Sequence, residues 1–320
     1  MRQIFFASVA LLLCLAAQAG VKRVGRADVD AQQSAALFIG IRNFDDTGIA
    51  PVPYAVDDAV DLAYEMTINH RPPLVPPNRA VLALSAGEPQ KPESQRRLRE
   101  LLAAGASRCA ARSAEVLALL DALSRRVGRN GLLIVSLATH GISDATMQRL
   151  LTVDSRLDDF KPSLTDKEIG DIISRNDVPR SLILIDACRE RLTRARSGRP
   201  DPRTAAARFK RVMMSIDGQV TMSAAAAGGY AYDDEVRRNG VFTAVVIDGL
   251  QCGAGHDWHG FITVETLHRY VSRHVLRWIH ENKDRTAKKA TQLSCEGESR
   301  KMPLSICVNR TAAASAPRPR

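Results

Sequence analysis

The sequence contains no uninterrupted apolar run near the roughly 20 residues that a membrane-spanning helix needs, which excludes a polytopic membrane protein. Aromatic residues make up only 5% of the 320 residues, and no stacking motif accompanies the arginine-rich stretches, so a nucleic-acid partner is not expected. What remains, 45% hydrophobic and 25% charged with a formal net charge of +10, is typical of a folded globular chain that favours acidic neighbours.

The first twenty residues form the one stretch that points to a membrane. Arg2 precedes an apolar stretch over residues 4–17, and Ala17-Gln18-Ala19 closes it with small residues. This is the layout of a cleavable secretory signal over residues 1–19, with cleavage after Ala19. We therefore expect an exported protein, periplasmic or extracellular, with no stable membrane span once the signal is removed.

Cysteine is scarce, and its count is informative only after the signal is removed. Cleavage eliminates Cys14 and leaves an odd number of cysteines in a compartment where thiols usually pair. If Cys188 is the unpaired residue, the other four allow three connectivities, which the sequence does not distinguish. The most local connectivity joins Cys295 to Cys307 and leaves Cys109 with Cys252.

Short apolar runs alternate with amphipathic stretches from residue 34 onward, which predicts βα units around a mostly parallel sheet. The predicted strands cover residues 35–41, 80–84, 132–138, 181–185 and 219–223. The clearest predicted helices cover 56–69, 241–250 and 264–279. We expect one domain over residues 34–290, a C-terminal extension over 291–310 that a disulfide could staple, and a disordered tail over 311–320.

Two of the predicted strands run directly into reactive side chains. Strand 132–138 is followed by Thr139-His140-Gly141, and strand 181–185 by Asp186-Ala187-Cys188-Arg189. Strand carboxyl ends form the ligand-binding edge of an open α/β sheet. A thiol needs a neighbouring base to become a nucleophilic thiolate, and an imidazole can also protonate a leaving amine. Each residue alone is more often structural, but together they predict a peptidase-type dyad.

Four segments, in the same order, resemble the caspase and metacaspase superfamily of cysteine peptidases, particularly its bacterial caspase-like members. The likeness covers about residues 34–278 and implies a caspase-like three-layer α/β/α sandwich with a mostly parallel central sheet. The segments that carry it are residues 36–41 with Ala55-Val56-Asp57-Asp58-Ala59, then Ser136-Leu137-Ala138-Thr139-His140-Gly141, then residues 182–189, and then Asn239-Gly240-Val241-Phe242-Thr243 with Gly249-Leu250.

The resemblance also implies roles for individual residues. His140 is the general acid and base, Cys188 is the nucleophile, and the backbone N–H groups of Gly141 and Cys188 form an oxyanion hole. In metacaspases the aspartate that matches Asp186 lines the pocket for the residue before the scissile bond, and these enzymes cleave after Arg or Lys. A buried carboxylate needs a cation to offset its desolvation, so a basic guest is expected, with Asp233 as a second acid. The alternative is that Asp186 caps the following turn.

These inferences predict an exported caspase-like cysteine endopeptidase that acts on proteins or peptides with basic residues. The arginine-rich segment 189–211 predicts self-processing; a solvated loop and an anion-binding patch are the alternatives. The chemistry requires no cofactor and predicts no metal ligand. Some metacaspases use calcium, and the acids at Asp154, Asp158 and Asp159 lack the spacing of an EF-hand loop, so calcium stays open.

A second interpretation belongs to another class. Arg189-Glu190-Arg191 departs from the metacaspase pattern after the cysteine. The departure keeps open a catalytically silent caspase-fold protein that serves as a binding or scaffold component of the cell envelope. The sequence does not fix the oligomeric state.

Overall fold

Apolar runs bounded by turns form the strands of the structure, a computed structural model that describes residues 29–70, 72–143, 148–187, 190–191, 218–225, 230–258, 260–283, 292–294 and 301–306. In chain order the strands are β1 (Ala35–Gly40), β2 (Ala80–Leu84), β3 (Ser107–Ala110), β4 (Leu133–Ala138), β5 (Gly141–Ser143), β6 (Gln148–Leu151), β7 (Ser163–Thr165), β8 (Ser181–Asp186), β9 (Glu190–Arg191), β10 (Gln219–Ser223), β11 (Asp233–Asp234), β12 (Asn239–Gly240), β13 (Phe261–Thr263), β14 (Gln292–Ser294) and β15 (Pro303–Ile306).

Amphipathic segments between the strands form the helices. These are α1 (Ala55–Tyr64), α2 (Pro92–Ala103), α3 (Ser113–Arg126), α4 (Asp166–Arg175), α5 (Val241–Asp248) and α6 (Val264–Asn282). π-Helical turns continue α1 over Glu65–Asn69 and α5 over Gly249–Gly253. Capping boxes start α4 at Thr165 and α6 at Thr263, where the side chain accepts a hydrogen bond from an otherwise unpaired backbone N–H.

The main sheet has the strand order β14-β10-β8-β4-β1-β2-β3. The strands from β10 to β3 pair in parallel, and β14 pairs antiparallel with β10 at one edge. Its central strands β1, β4 and β8 are buried along their whole length, as expected when helices cover both faces of a parallel sheet.

Side chains alternate between two core layers on opposite faces of this sheet. Phe38 of β1 points into the layer that contains the buried faces of α1, α2, α5 and α6, whereas Leu37 and Ile39 point into the layer that contains α3 and α4. The result is a three-layer α/β/α sandwich, which confirms the predicted fold class. Gly40 at the end of β1 allows α1 to pack closely, since a Cβ there would come within 2.4 Å of the Ala55 carbonyl oxygen.

A second, smaller sheet extends the main sheet beyond the carboxyl ends of β4 and β8. Its strand order is β7-β6-β5-β9. Strand β5 directly follows His140, pairs antiparallel with β6 and pairs in parallel with β9. The chain that leaves β4 and the chain that leaves β8 therefore run side by side a second time.

The predicted disulfide between Cys109 and Cys252 is wrong, because Cys109 is a free thiol. Cys109 lies on β3 with its Sγ 3.8 Å from the carbonyl oxygen of Leu82, packed against the α3 and α4 layer, and burial raises the pKa of the thiol. Cys252 follows Leu250, which is buried in the opposite layer, so the sheet separates the two cysteines. The predicted Cys295–Cys307 pair lies outside the described residues.

The segment after residue 290 contributes two strands to the domain. Residues 292–294 form the edge strand β14, and Pro303–Ile306 pairs antiparallel with β13 just before α6. Across the described residues, no helix combines the length and the apolar character that crossing a bilayer requires. The predicted signal over residues 1–19 and the predicted tail over 311–320 lie outside this range.

Candidate active site

The predicted histidine and aspartate lie at neighbouring strand ends. Strand β4 ends at Ala138, which pairs in parallel register with Asp186 at the end of β8. The backbone N–H of Thr139 donates to the carbonyl oxygen of Asp186 at 3.3 Å. His140 therefore follows immediately at the sheet edge where ligand sites form in parallel α/β folds.

The two chains are paired again just beyond this point. Ala138 pairs with Asp186 and Ile142 pairs with Glu190, so both chains advance by four residues between the two parallel pairings. His140 is midway along one chain. By sequence count alone Cys188 is midway between Asp186 and Glu190, but it lies outside the described residues.

The His140 ring is oriented from two directions. Its Nε2 atom is 2.8 Å from the carbonyl oxygen of Ala50, and its face stacks on Phe44 with ring centroids 5.7 Å apart and planes inclined by 19°. A carbonyl oxygen can only accept, so Nε2 must carry the hydrogen of this bond, and in the neutral ring Nδ1 is left with a lone pair. The ring is thus set to take a proton at Nδ1.

The backbone of the same segment is held by β6. The carbonyl oxygen of His140 accepts from the N–H of Leu151 at 2.9 Å, and the hydroxyl of Thr139 donates to the carbonyl oxygen of Leu151 at 2.8 Å. Gly141, the predicted oxyanion-hole residue, is the first residue of β5 and is paired with Leu150. The predicted general base and the predicted oxyanion donor therefore occupy one fixed strand segment.

Asp186 is buried beside a second carboxylate that the sequence did not single out, Asp58 of α1. Asp186 accepts from the backbone N–H and the hydroxyl of Thr243, at 3.1 and 2.7 Å. Asp58 accepts from the amide of Asn239 at 2.8 Å and from the N–H of Gly240 at 3.0 Å. Burial raises the pKa of Asp186 to about 6, and burial followed by the charge of Asp186 raises the pKa of Asp58 well above its usual value.

Gly240 lies between the two acids. A Cβ at this position would come within 2.3 Å of Asp186 Oδ2 and 3.1 Å of Asp58 Oδ2. The absent side chain therefore allows both carboxylates to approach the Gly240 backbone closely. Across the described residues, no Lys or Arg side chain pairs with either acid.

Asp233, the second predicted pocket acid, borders the same region. It pairs with Gly240 across the β11–β12 hairpin and is partly buried. Burial and the neighbouring Glu235 raise the pKa of Asp233, whereas the proximity of His140 and Lys283 opposes that rise. The structure thus places His140, Asp186 and Asp233 at the same edge of the sheet, with Asp58 beside Asp186.

A network of polar groups behind Asp58 fixes its partner Asn239. The amide nitrogen of Asn239 also donates to Asp61 at 3.1 Å, and the ammonium of Lys91 contacts both Asp61 and the amide oxygen of Asn239. Asp61 further accepts from Ser94 at 2.7 Å and forms an ion pair with Arg97 at 3.0 Å. Lys91 therefore orients the Asn239 amide so that its nitrogen faces Asp58.

Three acids of α1, Asp57, Asp58 and Asp61, each have a role of their own. All three are buried. Asp57 accepts from the N–H groups of Gln90 and Lys91 at 2.9 and 2.8 Å, Asp61 takes part in the network above, and Asp58 faces the site. A signal for Asp58 was present, since it lies in the family-like segment 55–59, but its role could not be assigned from that segment alone.

Among the described residues, the remaining predicted features contribute nothing to this site. Segment 192–217, most of the arginine-rich stretch, lies outside the described residues. Asp154 accepts from the backbone N–H of Ser113 at 3.1 Å, and Asp158 from that of Asp159 at 2.9 Å. Within the described part of the chain, no group of three or more His, Cys, Asp or Glu side chains is arranged to hold a metal ion.

This geometry agrees with a family match over most of the chain. The caspase domain family, Peptidase C14, matches residues 33–303, and the chain belongs to that family. The family implies a cysteine peptidase acting on protein substrates. No curated protein is found to match the chain.

Solved structures support the same fold. Caspase-1 from Spodoptera frugiperda is 13% identical with a TM-score of 0.53, covering 82% of this chain and 86% of that one. The pro-form of that caspase is 12% identical with a TM-score of 0.54, covering 87% and 100%. A protein from Geobacter sulfurreducens is 12% identical with a TM-score of 0.50, covering 84% and 96%. At these identities the likeness concerns the fold.

Proposed function

We propose that this chain is an exported cysteine endopeptidase that cleaves after Arg or Lys, with Cys188 as nucleophile and His140 as its general base and acid. Support for the dyad comes from the two parallel pairings, Ala138 with Asp186 and Ile142 with Glu190. They place residues 186 and 190, which precede and follow Cys188 by two positions in the sequence, beside residues 138 and 142, which precede and follow His140 by two. The orientation of the His140 ring leaves Nδ1 available to a thiol.

The reaction proceeds by acyl transfer. His140 takes the thiol proton, the Cys188 sulfur forms a bond to the scissile carbonyl carbon, and the N–H groups of Gly141 and Cys188 stabilise the oxyanion. The C–N bond then breaks, and His140 returns its proton to the departing amine. Water, deprotonated by His140, hydrolyses the thioester and regenerates the free thiol. These steps consume no cofactor.

The single observation that carries the basic specificity is the buried acid pair. Asp58 and Asp186 both lie against Gly240, and their raised pKa values indicate that their negative charge is poorly compensated there. Removing two carboxylates from water without a counter-ion is unfavourable. A guanidinium or ammonium group from a substrate would supply that counter-ion, with Asp233 as a further acid at the rim.

Export and self-processing are parts of the same proposal. The leader over residues 1–19 supports export, to the periplasm or the medium. An enzyme specific for basic residues could also cleave its own segment 189–211, which contains several arginines. If wild-type and Cys188→Ala proteins are equally intact in this segment on a gel, self-processing is excluded.

The test is hydrolysis of matched reporter peptides that carry Arg, Lys, Asp or Leu before the scissile bond. We expect cleavage after Arg and Lys only, abolished by Cys188→Ala and by His140→Ala with little change in melting temperature. Asp58→Asn and Asp186→Asn should each lower kcat/KM for the arginyl peptide by about 100-fold, because each leaves the guest with one acid. Asp171→Asn, at an exposed carboxylate of α4, is the matched control.

Labelling separates this proposal from the scaffold interpretation. An irreversible arginyl electrophile should modify Cys188 in the wild-type protein. A folded protein that neither reacts with it nor cleaves any reporter, with and without added calcium, would be a silent binding protein instead.

A further inference from the structure

Two aromatic rings beside the candidate pocket enclose a cation from the chain itself. The rings of Tyr232 and Trp278 have centroids 6.2 Å apart and planes inclined by 36°. The ammonium nitrogen of Lys283 lies 5.4 Å from each ring centroid. At this distance the negative face of an aromatic ring attracts a cation. The Tyr232–Trp278 cleft is therefore a cation site.

The cleft is built into the fold. The indole N–H of Trp278 donates to Asp234 Oδ2 at 3.1 Å, and the other oxygen of Asp234 accepts from the backbone N–H groups of Val236 and Arg237, both at 3.0 Å. Tyr232 and Trp278 are partly buried and pack against the core layer of α1 and α5. The two ring positions are thus preformed.

Lys283 is more exposed than the two rings that surround it. It is the first residue after α6, it is exposed, and its long side chain reaches the cleft from outside. Rotation of this side chain would vacate the cleft without disturbing the helix. A preformed cation site with a displaceable internal occupant can accept an external cation.

The cleft lies directly next to the acid pair. Tyr232 precedes Asp233, and its carbonyl oxygen accepts from the N–H of Val241 at 2.8 Å. Asp233 pairs with Gly240, whose N–H donates to Asp58. Consecutive residues of an extended peptide are about 3.4 Å apart. The cleft begins one residue further along the same hairpin, so the residue next to the one held at the acid pair is within reach of it.

We propose that the Tyr232–Trp278 cleft is a second cation subsite, which binds a Lys or Arg side chain immediately before the residue held by Asp58 and Asp186. This inference rests on the proposed function and extends it: the preferred substrates carry two consecutive basic residues. Lys283 occupies the subsite in the free protein and is displaced by the substrate side chain. Asp233, at the base of the hairpin between the two subsites, favours the positive charge of both guests.

Binding without turnover provides the first test. The sequence has two tryptophans, so Trp258→Phe in a Cys188→Ala background leaves Trp278 as the single fluorescent reporter. This protein is titrated with acetyl-Lys-Arg-amide and with acetyl-Ala-Arg-amide. We expect the Lys-Arg ligand to bind roughly 3- to 10-fold more tightly, the range of one cation–π contact, and to change the Trp278 emission.

Three variants of the cleft and one control variant, all in the same background, test whether the cleft is the cause. Tyr232→Leu should remove the preference for Lys-Arg and leave Ala-Arg binding unchanged. Lys283→Met should strengthen Lys-Arg binding, since the internal competitor is gone, by roughly 3-fold or more beyond any change in Ala-Arg binding, which reports the loss of the Lys283 charge near Asp233. Lys301→Met, at another exposed lysine, is the matched control and should behave like the parent protein. Trp278→Leu, measured by calorimetry, repeats the Tyr232 test on the other wall.

The outcomes distinguish failure of the second cation subsite from failure of the proposed peptidase function. Equal affinity for both ligands, unchanged by Tyr232→Leu and by Lys283→Met, would overturn the second subsite and leave the Arg-specific peptidase intact. If Lys283→Met only lowers the melting temperature and leaves the affinity ratio at the parental value, Lys283 is a structural residue and the inference is again overturned. If neither ligand binds and no arginyl peptide is cleaved by the active enzyme, both proposals fail.

Discussion

The Nε2 atom of His140 is hydrogen-bonded at 2.8 Å to the main-chain carbonyl of Ala50, in the loop between β1 and α1. This loop also carries Phe44, which stacks on the imidazole. One loop therefore fixes both the tilt of the ring and the nitrogen that carries the hydrogen. The dyad depends on a segment about ninety residues away in the sequence.

Phe44→Ala tests how much the stacked ring contributes. We expect kcat for an arginyl reporter to fall by roughly 10-fold with KM almost unchanged, because an aromatic pair contributes about 0.5–1.5 kcal/mol and the pocket acids are untouched. Phe160→Ala removes a ring from the same small apolar cluster and serves as the control. A rise in KM at constant kcat would mean that Phe44 acts in substrate binding instead.

Gly240→Ala tests whether the present arrangement of the two acids is needed to hold the guest. The added Cβ would lie 2.3 Å from Asp186 Oδ2, so the carboxylate must move and the pocket must shrink. We expect kcat/KM for arginyl peptides to fall by at least 100-fold. Alkylation of Cys188 by iodoacetamide, which does not use the pocket, should remain at the wild-type rate. Loss of both reactions together would indicate misfolding of the hairpin, not a filled pocket.

Asp186→Asn tests the electrostatic strain in the pocket. Burial raises the pKa of Asp186 to about 6 from 3.8, so the folded protein binds its proton more tightly than the unfolded chain does, and the stability this provides is lost as pH rises from about 4 through 6. The variant should therefore gain stability relative to wild type over this interval, by roughly 3 kcal/mol at pH 7.

Urea denaturation at pH 4, 5, 6 and 7 measures this difference in stability. Asp46→Asn is a control for which the pH dependence of the difference has the opposite sign. Hydrogen bonds from the N–H groups of Leu157 and Gly48 lower the pKa of Asp46, so its contribution is present at neutral pH and is lost as pH falls. A flat difference curve for Asp186→Asn would show that Asp186 is ionised without penalty.

Lys91→Met tests the network behind Asp58. Burial alone would raise the pKa of Asp61, but Lys91, Ser94 and Arg97 together lower it. Removing one partner of a buried ion pair leaves its charge under-compensated, so we expect a loss of roughly 3 kcal/mol in unfolding free energy. KM for arginyl peptides should also rise, since the Asn239 amide is no longer oriented. Lys167→Met, at an exposed pair with Asp171, should change neither quantity measurably.

The main sheet could be predicted because its strands are continuous apolar runs buried on both faces. Residues 132–138 and 181–185 predicted two central strands within a residue of their observed ends, and their carboxyl ends predicted the place of His140 and Asp186. Continuous apolar runs of strand length are sufficient to predict this part of the fold.

The elements that were missed have weak local signals. Helix α2 buries only Ser94, Leu98 and Leu101, and most of its other residues are polar or charged. Strands β9, β11 and β12 have two residues each, and only pairing with distant segments defines them. Tertiary contacts decide such elements, so a single sequence does not predict them.

The site was only partly predictable for the same reason. Asp58 matters because residues near 240 fold back onto α1, a contact across about 180 positions that no local pattern encodes. Ala50 acts through its carbonyl oxygen, which every residue has, so its identity carries no signal. Sequence motifs mark side chains that react; they do not mark the backbone that orients them.

Strand β14 has a consequence for shortened forms of the chain. Its antiparallel pairing covers the outer edge of β10, which would otherwise present free N–H and C=O groups. A chain truncated before residue 292 would retain every proposed catalytic residue and yet expose that edge. Such a protein should self-associate with increasing concentration through strand addition, and it would also lack β15 and the buried Leu304, so a loss of activity on truncation would reflect aggregation and lost packing and not the removal of a reacting group.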